Sequence, residues 1–125
     1  MDVYQHINHA RMVTLLEEAR IPFLMADGLP TVTLRNSAVI ADLHVRYRGQ
    51  LRYVDTPLDV FMWIDKLRAV DFTIAYEVRP NGAPLSTPPA IVASTQIATF
   101  DIDTQRLRRI SAPERGYLER WLPAT

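Results

Sequence analysis

The chain has no cysteine, which removes a disulfide framework, a thiol nucleophile and a cysteine-ligated zinc site together. It also lacks an excess of either charge, with 14 Lys and Arg against 14 Asp and Glu. A nucleic-acid-binding surface needs a basic excess, so this balance argues against such a partner and leaves room only for a local basic patch. No apolar run approaches the ~20 residues of a membrane-spanning helix, and no apolar h-region follows the start. A cytoplasmic location is the default that remains. No serine sits in a G-x-S-x-G turn, no clustered ligand set demands a metal, and there is neither an internal repeat nor a low-complexity tract.

What is present suits one domain spanning 1–125. At 125 residues and 48% hydrophobic, the chain can bury a core without staples. Residues 7 to 25 read as a helix rich in Leu, Met, Ala, Glu and Arg, with Met12, Leu15, Leu16, Ala19, Phe23 and Leu24 on a wide apolar face. Pro22 predicts a kink, or an end near Ile21. Asp27 to Pro30 reads as loop.

From about residue 38 to residue 102 the period changes to two. In 38–48, Val39, Ala41, Leu43, Val45 and Tyr47 alternate with Asp42, His44, Arg46 and Arg48. In 58–68, Val60, Met62 and Ile64 stand against Asp59, Phe61, Trp63 and Asp65. A third strand over 72–79 sets Phe72, Ile74, Tyr76 and Val78 opposite Thr73, Ala75, Glu77 and Arg79, and a fourth covers 91–102. The connection RPNGAPLSTPP holds too much proline to pair. Ser111-Ala112-Pro113-Glu114 is a capping-box pattern that opens a short helix reaching about Leu122. One long helix followed by consecutive antiparallel strands predicts an α+β sheet wrapped around its main helix. A single helix covers one face only, so a homodimer, or a dimer of dimers, is expected.

Chemistry-bearing residues crowd the start. Asp2, His6, Asn8 and His9 precede the helix within MDVYQHINH, and Leu16-Glu17-Glu18-Ala19-Arg20 follows inside it. This pattern resembles the hotdog-fold acyl thioesterases, in particular the 4-hydroxybenzoyl-CoA thioesterase and acyl-CoA thioesterase group with the related acyl-carrier enzymes. Their Asp, their loop ending near G-H-V-N-N and their helical Glu-x-Ala-Arg fall on Asp2, His6, Ile7, Asn8, Glu17, Ala19 and Arg20.

The resemblance implies hydrolysis of acyl-CoA or acyl-carrier thioesters without a cofactor. Asp2 would be nucleophile or general base, and the amide near His9 would help to form the oxyanion site. A helix N-terminus suits that task, because its unpaired N–H groups and positive dipole end favour negative charge. His6 and His9 could each orient Asp2, pass a proton to the departing thiolate or hold the loop. Asn8 caps the helix. Glu17 could face a partner subunit's pocket or bond Arg20. Arg46 and Arg48, with Arg52 and the Arg106, Arg108 and Arg109 cluster, are either solvated charges or ligands for coenzyme A phosphates. Phe23, Phe61, Trp63 and Phe72 are candidate acyl-pocket residues between helix and sheet, a lining that favours a lipid-like or aromatic acyl group over a charged one.

Three departures from the pattern stand out. Gln5 replaces a glycine of the loop, His9 replaces a second Asn, and only Met1 precedes Asp2 where the family has a strand. The chain is therefore expected to lack its first strand, as a fragment or a product started at an internal methionine. Two other functions fit the same fold: a non-catalytic acyl-CoA sensor, and a hydratase or dehydratase of acyl thioesters.

Overall fold

The computed structural model describes residues 9–49 and 57–123, His9 by its backbone alone. The long helix α1 (His9–Leu24) is followed by a 3-10 turn (Pro30–Arg35), then strands β1 (Ala38–Tyr47), β2 (Leu58–Leu67), β3 (Asp71–Pro80), β4 (Ile91–Asp101) and β5 (Arg106–Leu107), and the short helix α2 (Ala112–Glu119). All pairings are antiparallel, in the order β1-β4-β3-β2, and β5 adds to β4. No helix among the described residues is long and apolar enough to cross a membrane.

The apolar face of α1 repeats every four residues. Met12, Leu16 and Leu24 are fully buried or nearly so, and Arg20 occupies the remaining position of that stripe. Beneath it, Phe72, Ile74, Tyr76 and Val78 of β3 pair in register with Ile97, Thr95, Ala93 and Ile91 of β4, forming the floor of the core. Burying side chains of this size contributes roughly 1.5–3 kcal/mol each. The alternation expected for β2 and β3 holds: Val60, Met62 and Ile64 share the core face with Tyr76 and its neighbours.

β1 departs from the expected pattern. Its register slips between Ile40 and Asp42, so Ala41 is the extra residue of a bulge. Ile40, opposite Ile97, shares the α1 face with Leu43, Val45 and Tyr47. Val39, opposite Ala98, falls on the other face with Asp42, His44 and Arg46. One inserted residue reverses a period of two, so Val39 and Leu43 do not share a face.

α1 also runs past Pro22 to Leu24 rather than ending near Ile21. Pro22 removes only the one bond to the Glu18 carbonyl. The ladder resumes with the Met25 N–H donating to the Ile21 carbonyl, and the carbonyls at the helix end find donors from the following segment. Thr31 Oγ1 donates to the Leu24 carbonyl, and Arg35 Nε donates to the Met25 carbonyl at 2.9 Å. That segment, the 3-10 turn, begins where the sequence suggested loop.

The capping box at α2 forms as expected. Ser111 Oγ accepts from the Glu114 N–H, and Glu114 accepts from the Ser111 N–H. Glu114 does more than cap, since Arg108 Nη1 and Nη2 each reach its carboxylate at 2.8 Å and Thr33 donates to it. Burial alone would raise this carboxyl, but hydrogen bonds from Arg108, Thr33 and Ser111 outweigh it and bring the pKa down to about 2. The hydrogen bond to Glu114 in turn raises Arg108. Behind α2, Tyr117 Oη donates to the Phe23 carbonyl, and Phe23, Tyr117 and Trp121 form a ring cluster at the end of α1.

Candidate active site

The described part of α1 starts at His9 and has no acidic side chain in its first turn. The first N–H groups of any helix lack intrahelical acceptors and carry its positive dipole end. Asp2, His6 and Asn8 lie outside the described residues, as do Arg52, Gln5 and the expected loss of a strand ahead of Asp2.

Two turns further on, Glu17 is exposed and does not bond Arg20. The helix pair considered from sequence is therefore absent. Arg20 is instead 7% exposed, turned into the core between helix and sheet. Its Nη1 donates to Tyr76 Oη at 3.3 Å and to Thr95 Oγ1 at 3.2 Å. Both hydroxyls are completely buried. Among the described residues Arg20 forms no ion pair. The sequence carried a signal for this: Arg20 lies four residues from both Leu16 and Leu24. Tyr76 and Thr95 stood on the alternating core faces of their strands, with nothing to mark them as polar partners.

The face of the sheet away from α1 gathers other candidates. His44, Ser94, Ala75 and Trp63 form one line across the four strands, and Arg46, Val92, Glu77 and Phe61 form the next. His44, Arg46, Trp63, Asp65, Ala75, Val92 and Ser94 line an open groove of about 770 Å³ at the β1 end of this face, which Phe61 and Glu77 do not line. Arg46 and Arg48 are exposed on and just beyond β1. Phe61 and Trp63 therefore do not line a pocket between this chain's helix and sheet, because period-two alternation turns them outward. The Phe61 ring lies 5.3 Å from the guanidinium carbon of Arg79, a cation–π contact. Arg79 is further held by Glu77 at 3.1 Å. Phe72 is fully buried in the core and Phe23 belongs to the ring cluster. His44 Nε2 lies 3.2 Å from Asp42 Oδ2 on the exposed edge. Arg108, considered as a phosphate ligand, is committed to Glu114 and Ser37.

The sequence profile of the thioesterase-like superfamily matches residues 1–121. The chain belongs to the thioesterase-like superfamily. Membership supports thioester hydrolysis as its general class of activity. No curated protein matches the sequence. Solved structures similar to this thioesterase-like chain include the probable thioesterase YbaW of Escherichia coli, 23% identical with a TM-score of 0.78 over 98% of this chain and 91% of that one. A predicted thioesterase from Bacillus stearothermophilus is 21% identical, with a TM-score of 0.79 over 99% and 89%. The gentisyl-coenzyme A thioesterase BH1999 is 15% identical, with a TM-score of 0.73 over 94% and 90%. At these identities the likeness speaks to the fold, which is the hotdog arrangement of an antiparallel sheet around one main helix with a short C-terminal helix.

Proposed function

We propose that this thioesterase-like chain hydrolyses acyl-CoA thioesters, with Asp2 as nucleophile or general base and the N-terminus of α1 as the oxyanion site. Family membership over residues 1–121 carries the reading. Either a water that gives its proton to Asp2 or the Asp2 carboxylate itself adds to the thioester carbonyl, the anhydride formed in the second case being hydrolysed afterwards by water. The oxyanion draws on the free N–H groups at the helix start. The C–S bond then breaks, and the thiolate takes a proton by way of His6 or His9. Asn8 caps the helix, and Glu17 completes the site from a partner subunit.

The nucleotide end of coenzyme A fits the outer groove. Trp63 in its lining offers aromatic surface for a base to stack on, with Phe61 outside it on the same face. Arg46 in the lining and Arg48 beyond the end of β1 offer forked donors for phosphate. A homodimer is part of this reading. Ile40, Leu43 and Tyr47 on the α1 side of the edge strand are 49%, 38% and 45% exposed, an apolar strip that a second copy would cover.

The test is turnover of a short acyl-CoA panel followed with a thiol reagent. Asp2→Asn is expected to lower kcat by about 10²–10⁴-fold, with a circular-dichroism spectrum like that of the wild type. Full turnover by the variant would remove Asp2 from the chemistry.

A further inference from the structure

The outer groove has two unlike ends. Trp63 of β2, Ala75 of β3, Ser94 of β4 and His44 of β1 stand in one register line across the sheet, and all four line the groove. With strands ~4.8 Å apart, that line is roughly 14 Å long. The small side chains of Ala75 and Ser94 make its floor, and the larger Trp63 and His44 close it.

Donors gather at the β1 end. Ser94 lies directly opposite His44, and side chains so paired hold their Cβ atoms ~5 Å apart. Arg46 follows two residues along β1 on the same face, diagonal to Ser94 and within reach for a side chain of its length. Among the described residues neither the Arg46 guanidinium nor the Ser94 hydroxyl has a partner, although Arg46 and Asp65 line the same groove. Asp42 Oδ2 lies 3.2 Å from His44 Nε2 and leaves Nδ1 for a ligand. With Nε2–H committed to Asp42, Nδ1 donates only when the ring is protonated. The charged groups around that ring are Asp42 and Arg46 on β1 and Asp65 on the far wall, while β4 adds the neutral Ser94 and Gln96.

A guanidinium, a hydroxyl and an imidazolium at one corner match a phosphomonoester, which offers three oxygens on one phosphorus and nearly two charges. Each phosphorus of a pyrophosphate bridge offers only two such oxygens. A purine beside Trp63, with its ribose over Ala75, would bring a phosphate on that ribose to Ser94.

We propose that His44, Ser94 and Arg46 bind the phosphomonoester on the ribose of coenzyme A. The chain thereby selects coenzyme A thioesters over those of dephospho-coenzyme A or of a phosphopantetheine arm, which lack that group. This rests on the thioesterase reading proposed above and extends it from phosphate contact to choice of acyl carrier. Asp42 is a positioning residue for His44, and none of the four takes part in bond cleavage.

The experiment compares KM for one acyl group carried on coenzyme A and on 3′-dephospho-coenzyme A. The wild type should show a KM about tenfold lower for the phosphorylated carrier, as expected for hydrogen bonds to a charged group. Ser94→Ala and Arg46→Met should each bring that ratio towards one. The wild type's advantage over His44→Gln should be largest near about pH 6 and fade by about pH 8, as the imidazolium is lost. The phosphate's own titration is common to both proteins, so an advantage of constant size would remove His44 from the site. A wild-type ratio near one, or variants that raise KM equally for both carriers, would overturn the proposal and leave the hydrolase reading intact. If neither thioester is cleaved, that reading falls and calorimetry decides the site by itself. Adenosine 3′,5′-bisphosphate should then bind about tenfold tighter than adenosine 5′-phosphate, and equal affinities would refute the site.

Discussion

Arg108 grips Glu114 with two hydrogen bonds of 2.8 Å, and through that one carboxylate the segment after β5, the cap of α2 and Thr33 of the 3-10 turn are joined. Glu114 is 2% exposed while a quarter of the Arg108 side chain is open to solvent, so the pair is partly shielded from the screening that weakens surface ion pairs.

The pH dependence follows from the direction of the shift. The carboxyl is lowered to about 2 in the folded protein, against about 4.3 when unfolded. Its stabilisation is complete above the unfolded value and is lost as pH falls from about 4.3 towards 2. Glu114→Gln should cost about 1–3 kcal/mol at neutral pH, because the charge-assisted bonds from a half-buried Arg108 are lost. It should also flatten the loss of melting temperature between pH 5 and 2. An acid profile as steep as that of the wild type would assign the acid sensitivity to other carboxylates.

Thr31 is fully buried and closes the end of α1 through the Leu24 carbonyl. Thr31→Val keeps its shape and removes the donor, so urea unfolding should show a loss of about 1–2 kcal/mol. No loss would mean that the carbonyl finds another donor.

Leu43→Arg places a charge in the exposed apolar strip of β1. Sedimentation velocity should then find a monomer where the proposed wild-type state is a dimer, and a wild-type chain that sediments as a monomer at micromolar concentration would refute the β1 pairing.

Trp63→Ala should raise KM for an acyl-CoA about tenfold and leave kcat in place, as expected when uniform binding is lost. With an acyl-cysteamine thioester, which lacks the nucleotide, the same substitution should have little effect. Equal effects on both substrates would move Trp63 away from nucleotide binding.

The sequence conveyed some of this architecture much better than the rest, for physical reasons. β2 and β3 are legible because their side chains alternate without interruption in the stretch that faces α1, so burial and period agree from Val60 to Ile64 and from Phe72 to Val78. β1 is not, because a bulge leaves no mark on composition: Val39-Ile40-Ala41 is apolar whichever way it turns. β5 is two residues long, too short for any period. Pro22 misled because it removes a single helix bond, and Thr31 and Arg35 close the end of the helix from outside by donating to the Leu24 and Met25 carbonyls. The capping box was legible to the residue, since Ser111 and Glu114 act locally. Arg20 shows the opposite case. Its position on the buried stripe could be counted, whereas its partners Tyr76 and Thr95 lie 56 and 75 residues away, beyond the reach of spacing.

The other border of the sheet tells a different story from β1. The Ile64 N–H at the β2 margin donates to the Trp121 carbonyl at 2.9 Å, so at that one point the chain just after α2 takes a donor that an added strand would need. A second copy pairing in full along β2 would have to break this bond first, whereas no such internal competitor is seen among the described residues at Leu43 of β1.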